Sequence, residues 1–307
     1  MLDPVEIYRM LQPDLSKLDQ QRLSYYTKVK PYKIIFWSWA ITGAAGLIYL
    51  SNFVSYESGL ITFGYFFILV ICLILYVGRY HYQLEKFKDR FIEQIVPRVI
   101  TGLGASFSYT YKDGIPEAKV QESRLFPSFH DYEPQDLIQG KVGETPIAFN
   151  ELVLKLYTYK DGKKRTNRVF EGFFFRAQLS VRFPANIWVT RKFTTEKLTK
   201  EMQLEVDHRL NESCRFYADN KEAAAEVLQP FILDKLLAVN DKMRKARISR
   251  SPVSYHFGGN ELELAIFTRR KFMDPKLSRS VNSQKFIAAQ TTLLNTLFEL
   301  IGDLTLR

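Results

Sequence analysis

Between Ile34 and Gly78 the sequence holds one charged side chain, Glu57. That residue sits in the short polar stretch Ser55-Tyr-Glu-Ser-Gly59, which divides the run into two apolar segments, 34–54 and 60–78. A helix rises about 1.5 Å per residue, so each segment is long enough to cross a hydrocarbon core of about 30 Å. A helix also satisfies its own backbone polar groups there. The spacing therefore predicts a two-helix transmembrane hairpin. A pair of core helices in a soluble protein would ordinarily carry a charged face, and these segments have none. A cleaved leader fits no better, because the run starts beyond residue 30 and is followed by a second one.

The flanks fix an orientation. Tyr32, Phe36, Trp37 and Trp39 stand at one end of the run and Tyr76, Tyr80 and Tyr82 at the other, where interfacial aromatic belts belong. Arg22, Lys28, Lys30 and Lys33 precede the first span, and Arg79, Lys86, Lys88 and Arg90 follow the second. The connecting loop has no Lys or Arg, so the positive-inside rule places both termini in the cytoplasm. The sequon Asn211-Glu-Ser213 is then a chance match. Neither span carries an Asp, Glu, Lys, Arg or His, which argues against a pump or transporter. Ala40, Gly43, Ala44 and Gly46 are small enough to let the hairpin pack on itself or let another helix approach.

The chain has 307 residues, room for an anchor and one ordinary domain. Cys72 and Cys214 make no disulfide framework and fit a reducing compartment. Residues 79–307 hold 37 Lys and Arg against 28 Asp and Glu, a net charge of +9. Beside a membrane such a domain faces anionic headgroups. Nucleic acid is not expected, since no zinc finger, helix-turn-helix or RNA-binding signature is present.

Tyr80, Leu84, Phe87, Phe91 and Ile95 recur at helical spacing, which predicts an amphipathic helix leading out of the second span to about Pro97. Its stripe needs cover from Leu11, Leu15 and Leu18 or from the domain beyond. Strands are expected at Ala105 to Tyr111, before a Lys112-Asp113-Gly114 turn, and as a hairpin from Ile147 to Tyr159 and Arg168 to Leu179 around Asp161-Gly162. Further strands are expected at Ile187 to Lys192, Met202 to His208 and Arg215 to Ala218. A helix capped by Asp219 or Asn220 follows, with Val227, Phe231, Leu236 and Val239 on its apolar face and Pro230 as a kink or join. Val253 to Phe257 and Leu262 to Phe267 read as a hairpin about Gly258-Gly259-Asn260. A last helix, Asn282 to Ile301, puts Phe286, Leu293, Leu297 and Leu300 on one face.

The expected fold is α+β: the transmembrane hairpin, then a mainly antiparallel-sheet cytoplasmic domain with two or three packed helices. Its divisions are 1–33 as an N-terminal helical segment, 34–78 as the hairpin, 79–101 as the connecting helix and 102–307 as the domain.

Five segments together carry a resemblance: Ser123-Arg-Leu-Phe-Pro127, Asp136-Leu-Ile-Gln-Gly140, Phe149-Asn-Glu151, Phe170-Glu-Gly-Phe-Phe-Phe175 and Phe216-Tyr-Ala-Asp219 followed by Ala225 to Pro230. From the hairpin nearly to the C-terminus the chain resembles the uncharacterised bacterial membrane family known as domain of unknown function 3137. The resemblance implies a multi-pass protein of the bacterial inner membrane with a cytoplasmic domain. It brings no catalytic residues, and it points to a LemA-like helical membrane protein as a partner.

The four histidines, His81, His130, His208 and His256, are scattered, and Asp207-His208 with Cys214 is the nearest approach to a ligand group. No nucleophile elbow, phosphate loop or kinase signature occurs, Gly140-Lys-Val-Gly143 reads as a turn, and no metal or cofactor is expected. Three basic clusters stand out: Lys160, Lys163, Lys164, Arg165 and Arg168; Lys242 to Arg250, with Arg244, Lys245 and Arg247; and Arg269 to Lys271. Either they are solvated turns and helix ends, or they meet anionic lipid or an acidic partner. The function expected is a membrane-anchored scaffold or adaptor that binds another protein. The alternative is a hydrolase-like enzyme at the membrane surface, with a site formed by distant carboxylates such as Glu151 and Glu171.

Overall fold

The computed structural model describes residues 3–50, 58–102, 106–192, 197–268, 271 and 274–305. The chain separates into two compact units. One comprises Met1–Arg9, Val96–Asp274 and Gln284–Arg307, the other Met10–Ile95 and Pro275–Ser283. The stretch expected as one domain from 102 onward thus contributes Pro275–Ser283 to the unit that holds the apolar helices.

That helical unit is built on α1 (Pro4–Thr27) from Met10 onward, α2 (Lys30–Leu50) and α3 (Ser58–Gln94). The polar stretch around Glu57 falls outside the described residues, apart from the helical backbone from Ser58. α2 and α3 pack antiparallel: Phe36 stacks on Tyr76 at 6.0 Å, and Trp39 meets Tyr65 at 5.5 Å. A side chain at Gly43 would overlap the Tyr65 ring, so this glycine is where the second helix comes close. α3 runs without a break from its apolar half into the amphipathic half. The stripe expected there is buried at Phe87 and Phe91, with Tyr25 of α1 against Phe87. Leu11, Leu15 and Leu18 of α1 are buried too.

The Pro275–Ser283 segment lies on α1. Arg22 donates to the Leu277 carbonyl at 2.6 Å, and Asp19 accepts from Arg22 at 2.8 Å and from the Val281 amide at 3.0 Å. Burial alone would push the Asp19 carboxyl up, but the hydrogen bonds from Arg22, Val281 and Ser280 and the Arg22 charge outweigh it and hold it below its usual value.

The other unit is α+β with a mainly antiparallel sheet. After α4 (Val96–Thr101) come β1 (Ser108–Thr110), α5 (Glu117–Glu122), β2 (Asp131–Val142), β3 (Thr145–Lys160) and β4 (Lys163–Arg191). Then follow β5 (Gln203–Leu204), β6 (Cys214–Ala218), α6 (Lys221–Val227), α7 (Pro230–Lys245), β7 (Ser254–Phe267) and α8 (Gln284–Thr305). The sheet order is β1-β2-β3-β4-β6-β5, with β7 also paired to β4. Asp161 and Gly162 turn β3 into β4 with positive φ of 54° and 71°, as the residue types require. The sheet's outer strands on this path, β1 and β5, are three and two residues long, which leaves little ladder for another chain to extend.

Four features depart from the sequence reading. β4 is a single strand of 29 residues, uniting two expected strands. Its irregular stretch between Gln178 and Ile187 bulges against β7 and hides the continuity from a period-of-two reading. The Val253–Phe267 segment is no hairpin but one strand along β4. Gly259, at φ 57°, makes a bulge that swaps the inward set from Tyr255 and Phe257 to Leu262, Leu264 and Ile266. β2 and α5 were not expected, because β2 is polar at most outward positions and bends at Asp136 (φ 57°). Strand structure in Met202–His208 shrinks to Gln203–Leu204, and with α5 to α8 the unit has more helices than the two or three expected.

The sheet buries both faces. On one, α5 and the chain after it cover Leu152, Leu154, Phe170, Phe174 and Trp188, with Phe126 edge-on to Phe170 and Phe174. On the other lie Phe149, Phe173, Phe175, Val189, Phe216 and Leu264, facing α7 and α8. Asn220 caps α6 through the Ala223 amide, and Pro230 opens α7 at its first turn, so the join forms rather than a kink. α7 buries Ile232, Leu233, Leu236, Val239 and Met243, while Phe231, expected inside, is 38% exposed. Lys235 pairs with Asp303 at 2.7 Å and Lys242 with Glu299, tying α7 to α8.

Candidate functional site

α7 ends in a cap that explains several of the predicted basic residues. The Ile248 amide bonds the Met243 carbonyl at 2.9 Å and the Arg247 amide bonds the Arg244 carbonyl at 2.9 Å, with Arg247 at φ 56°. This is the double bond of a Schellman cap, with arginine where glycine is usual. Lys242, Arg244 and Lys245 occupy the last turn, where cations offset the negative end of the helix dipole. Arg247 and Lys245 thus belong to the helix end.

Arg244 also lines a cavity of about 210 Å³ with Arg209, Arg250, Asn240, Ser213 and Ser251, among others. Local structure places each wall. Arg209 opens a 3-10 turn that begins after His208, whose Nδ1 accepts from the Leu210 amide at 3.1 Å. His208 in turn contacts Asp234 of α7 at 3.1 Å, which holds that turn against the helix. Arg250 and Ser251 lie just past the α7 cap, where Ser249 Oγ donates to the Phe267 carbonyl at 2.6 Å. Asn240 Oδ1 accepts from the Val253 amide at 2.8 Å and from the Tyr255 hydroxyl at 3.4 Å. That fixes the amide and leaves its buried Nδ2 without a protein partner. Asp241 holds Arg244 at 2.7 Å, and Glu212 is also in the wall. Three guanidiniums against two carboxylates leave the cavity wall with an excess of one positive charge.

The remaining predicted residues do not join it. Lys163, Lys164 and Arg165 sit at the exposed tip of the β3–β4 hairpin, with Lys164 over the Tyr157 ring at 3.4 Å. Arg269 and Arg270 lie outside the described residues. Glu151 and Glu171 share one face of the β3–β4 pair, diagonally across the ladder. Glu171 pairs with Arg168 at 2.6 Å and Glu151 is buried, and neither lines this cavity.

A polar chain missed by sequence reasoning crosses the opposite face of the sheet. Arg176 contacts Glu261 at 2.5 Å and Glu263 at 2.7 Å, and Glu263 contacts His256 Nδ1 at 2.9 Å. His256 stacks on Trp188 at 4.9 Å and reaches Asn186 Oδ1 at 3.3 Å, while Asn186 donates to Asp219 at 2.6 Å. The alternation of Glu261 and Glu263 was visible, but their partners are set by the β4–β7 register. Every member is bonded to another, so the chain acts as a polar lock inside the fold.

At the sheet edge, Tyr109 donates to Asp136, which is buried beside the bulge. Burial pushes the Asp136 carboxyl up, against the pull of Tyr109 and Lys271. Burial likewise pushes the Cys214 thiol up to about 11. Among the described residues, no group of three His, Cys, Asp or Glu stands close enough to hold a metal ion.

Residues 168–306 match the family described as "Protein of unknown function (DUF3137)". The match agrees with the resemblance over less than half of the chain, and of the five segments it takes in the one from Phe170 to Phe175 and the one from Phe216 to Pro230. No curated protein matches the chain. Among solved structures, that described as the crystal structure of the mycobacterial trehalose monomycolate transport factor A, TtfA, is similar over 62% of this chain and 88% of that one. The identity is 11% and the TM-score 0.32.

Proposed function

We propose that this chain, a match to the DUF3137 family over residues 168–306, is a membrane-anchored adaptor. α2 and α3 are its two-span anchor in the bacterial inner membrane, with both termini cytoplasmic. The α+β unit binds an acidic segment of a protein partner in the Arg209, Arg244 and Arg250 pocket. A LemA-like membrane protein is the first partner to try.

The observation that carries the anchor is the apolar surface of the two helices. Ile34, Ile41, Ile48, Phe63, Phe67 and Ile74 are each more than half exposed. The helix from Phe63 is long and apolar enough, by length and composition, to span a membrane, and none of its most apolar window is buried. The partner segment, 34–54, is described only as far as Leu50. An exposed apolar surface of this extent calls for a non-aqueous solvent or a partner. For the adaptor role, the support is the Arg209, Arg244 and Arg250 pocket, whose three guanidiniums outnumber its two carboxylates.

Alkaline extraction of membranes tests the anchor: the full chain is expected to stay with the lipid, and its release overturns the reading. Topology follows from an impermeant thiol reagent on intact cells. Ser58→Cys is expected to react and Tyr159→Cys, at a position 75% exposed on the hairpin tip, to stay protected. The native Cys214 is too buried to report. A photo-cross-linker at position 250 of the full chain tests the adaptor, with position 159 as control. A discrete protein adduct confined to 250 and lost in Arg209→Glu is expected. Labelling that is equal at both positions, or survives that substitution, removes the pocket from the proposal.

A further inference from the structure

The helical unit has a second cationic site, where α3 leaves its apolar half. Four cations, Lys28, Arg79, Lys86 and Arg90, line an open groove of about 640 Å³ with Tyr25, Tyr82, Gln83, Asp89 and Glu93. Two carboxylates against four cations leave an excess of two positive charges. The groove is built rather than incidental. Arg79 lies over the Tyr32 and Tyr82 rings at 6.0 and 5.7 Å, Lys86 over Tyr82 at 4.5 Å, and Arg90 over Tyr25 at 6.0 Å. The aromatic faces hold the long side chains in place, which lowers the ordering cost of binding. Gln83 is 3% exposed, and the buried Nε of Arg79 has no hydrogen-bond partner in the protein. A guanidinium that is desolvated and unpaired on one edge favours an oxyanion.

We infer that this groove binds the phosphate headgroup of an anionic phospholipid, an inference that rests on the anchor reading above. Its position names lipid over a soluble anion. Arg79 directly follows Gly78, the end of the apolar run, and the last turns before it expose Ile74 at 63%, Leu75 at 54% and Val77 at 40%. A headgroup at Arg79 and Lys86 therefore has apolar surface for its chains within one or two turns. Tyr82 is half exposed beside it, as interfacial tyrosines are. A free phosphate would gain the cations but leave that apolar border in water.

The test uses the full chain in nanodiscs of phosphatidylcholine with a minor share of phosphatidylglycerol, measuring the lipid that stays bound after extraction into mild detergent. Phosphatidylglycerol is expected to be enriched over its bulk share. Arg79→Gln with Lys86→Gln is expected to cut that enrichment by up to about thirtyfold, since each cation near the surface is worth about 1 kcal/mol. Lys86→Gln alone, at an exposed position, should lower it in part if the double variant misfolds, and Lys86→Arg should restore it. Replacing Lys163, Lys164 and Arg165 by Gln should leave it unchanged. A chain that enters the discs but holds both lipids in bulk proportion overturns the lipid site and spares the anchor. Failure to enter discs at all overturns the anchor. Displacement of the bound lipid by millimolar inorganic phosphate would reassign the groove to a soluble anion and overturn the inference.

Discussion

Ile74 in α3 and Ile266 in β7 are the same side chain in one protein, yet the first is 63% exposed and the second fully buried. The contrast extends through both units: the sheet closes its apolar residues from both faces, while α2 and α3 display theirs. Backbone hydrogen bonding explains why the displayed surface is helical. A helix bonds its own amides and carbonyls, so it can turn apolar side chains outward on all sides and still be stable in lipid. A strand needs neighbours, so its apolar residues stay with the sheet.

The largest test of this contrast sets Ile74→Arg against Phe174→Ala. On the anchor reading Ile74→Arg, about one turn from the end of the span, costs less in membrane insertion than the roughly 2.5–3.5 kcal/mol of a mid-span arginine and leaves the sheet unit's melting unchanged. Phe174→Ala costs about 3–5 kcal/mol of folding and leaves membrane retention unchanged. Membrane extraction and thermal unfolding of the full chain separate the two effects, and equal losses in both assays for either variant would erase the distinction.

A smaller effect belongs to the segment held on α1. Asp19 is held below its usual value in the fold, so the stability it lends is present above the ordinary carboxylate range and lost as pH falls through its lowered one. Asp19→Asn should cost roughly 1 kcal/mol at neutral pH, because it removes a charged acceptor from Arg22 and Val281. Hydrogen exchange at Val281 should rise in that variant, and in the native chain on acidification. Asp136 has the opposite sign. Its carboxyl is raised, so it favours folding most at pH below its ordinary value, and that contribution falls away as pH rises through the raised one. Asp136→Asn keeps an acceptor for Tyr109 without the buried charge. It should flatten this pH dependence and leave the chain at least as stable at pH 7, as measured by denaturant unfolding.

The smallest effect sharpens the account of the basic cluster. Arg247→Gly should stabilise the chain by about 0.5–1 kcal/mol, since glycine adopts the left-handed cap conformation without strain. Adduct formation at position 250 should not change. A loss of the adduct would give Arg247 a place in the pocket as well as in the cap.

Much of this architecture can be read from local chemistry. Charge-free runs give the apolar helices, Asp161-Gly162 gives the turn, and Asn220 and Pro230 give a cap and a helix start. What resisted was set by pairing at a distance. Gly258-Gly259-Asn260 has hairpin composition, and only the long β4 beside it makes those residues a bulge. The motifs that carried the family resemblance are largely packing: Ser123 accepts from the Trp188 indole at 2.9 Å, Phe174 is fully buried, and Asp219 holds Asn186. Gly172 lies where any side chain would strike the Ile266 carbonyl. The basic pocket was half visible. Arg244 and Arg250 were in a marked cluster, but Arg209 comes from a turn far away in sequence, which meets α7 through the His208–Asp234 contact.

β4 is flanked on one side by β3 and β6 and on the other by β7, so its second edge waits for the last strand of the sheet. During synthesis, chains emerge at about 5–20 residues per second, and Phe173, Phe174 and Phe175 are made long before Ile266 arrives to cover them. Over several seconds the nascent chain therefore presents an aromatic strand with an open edge. Such an order favours a chaperone at the ribosome exit and makes the arrival of β7 the step that commits the sheet to close.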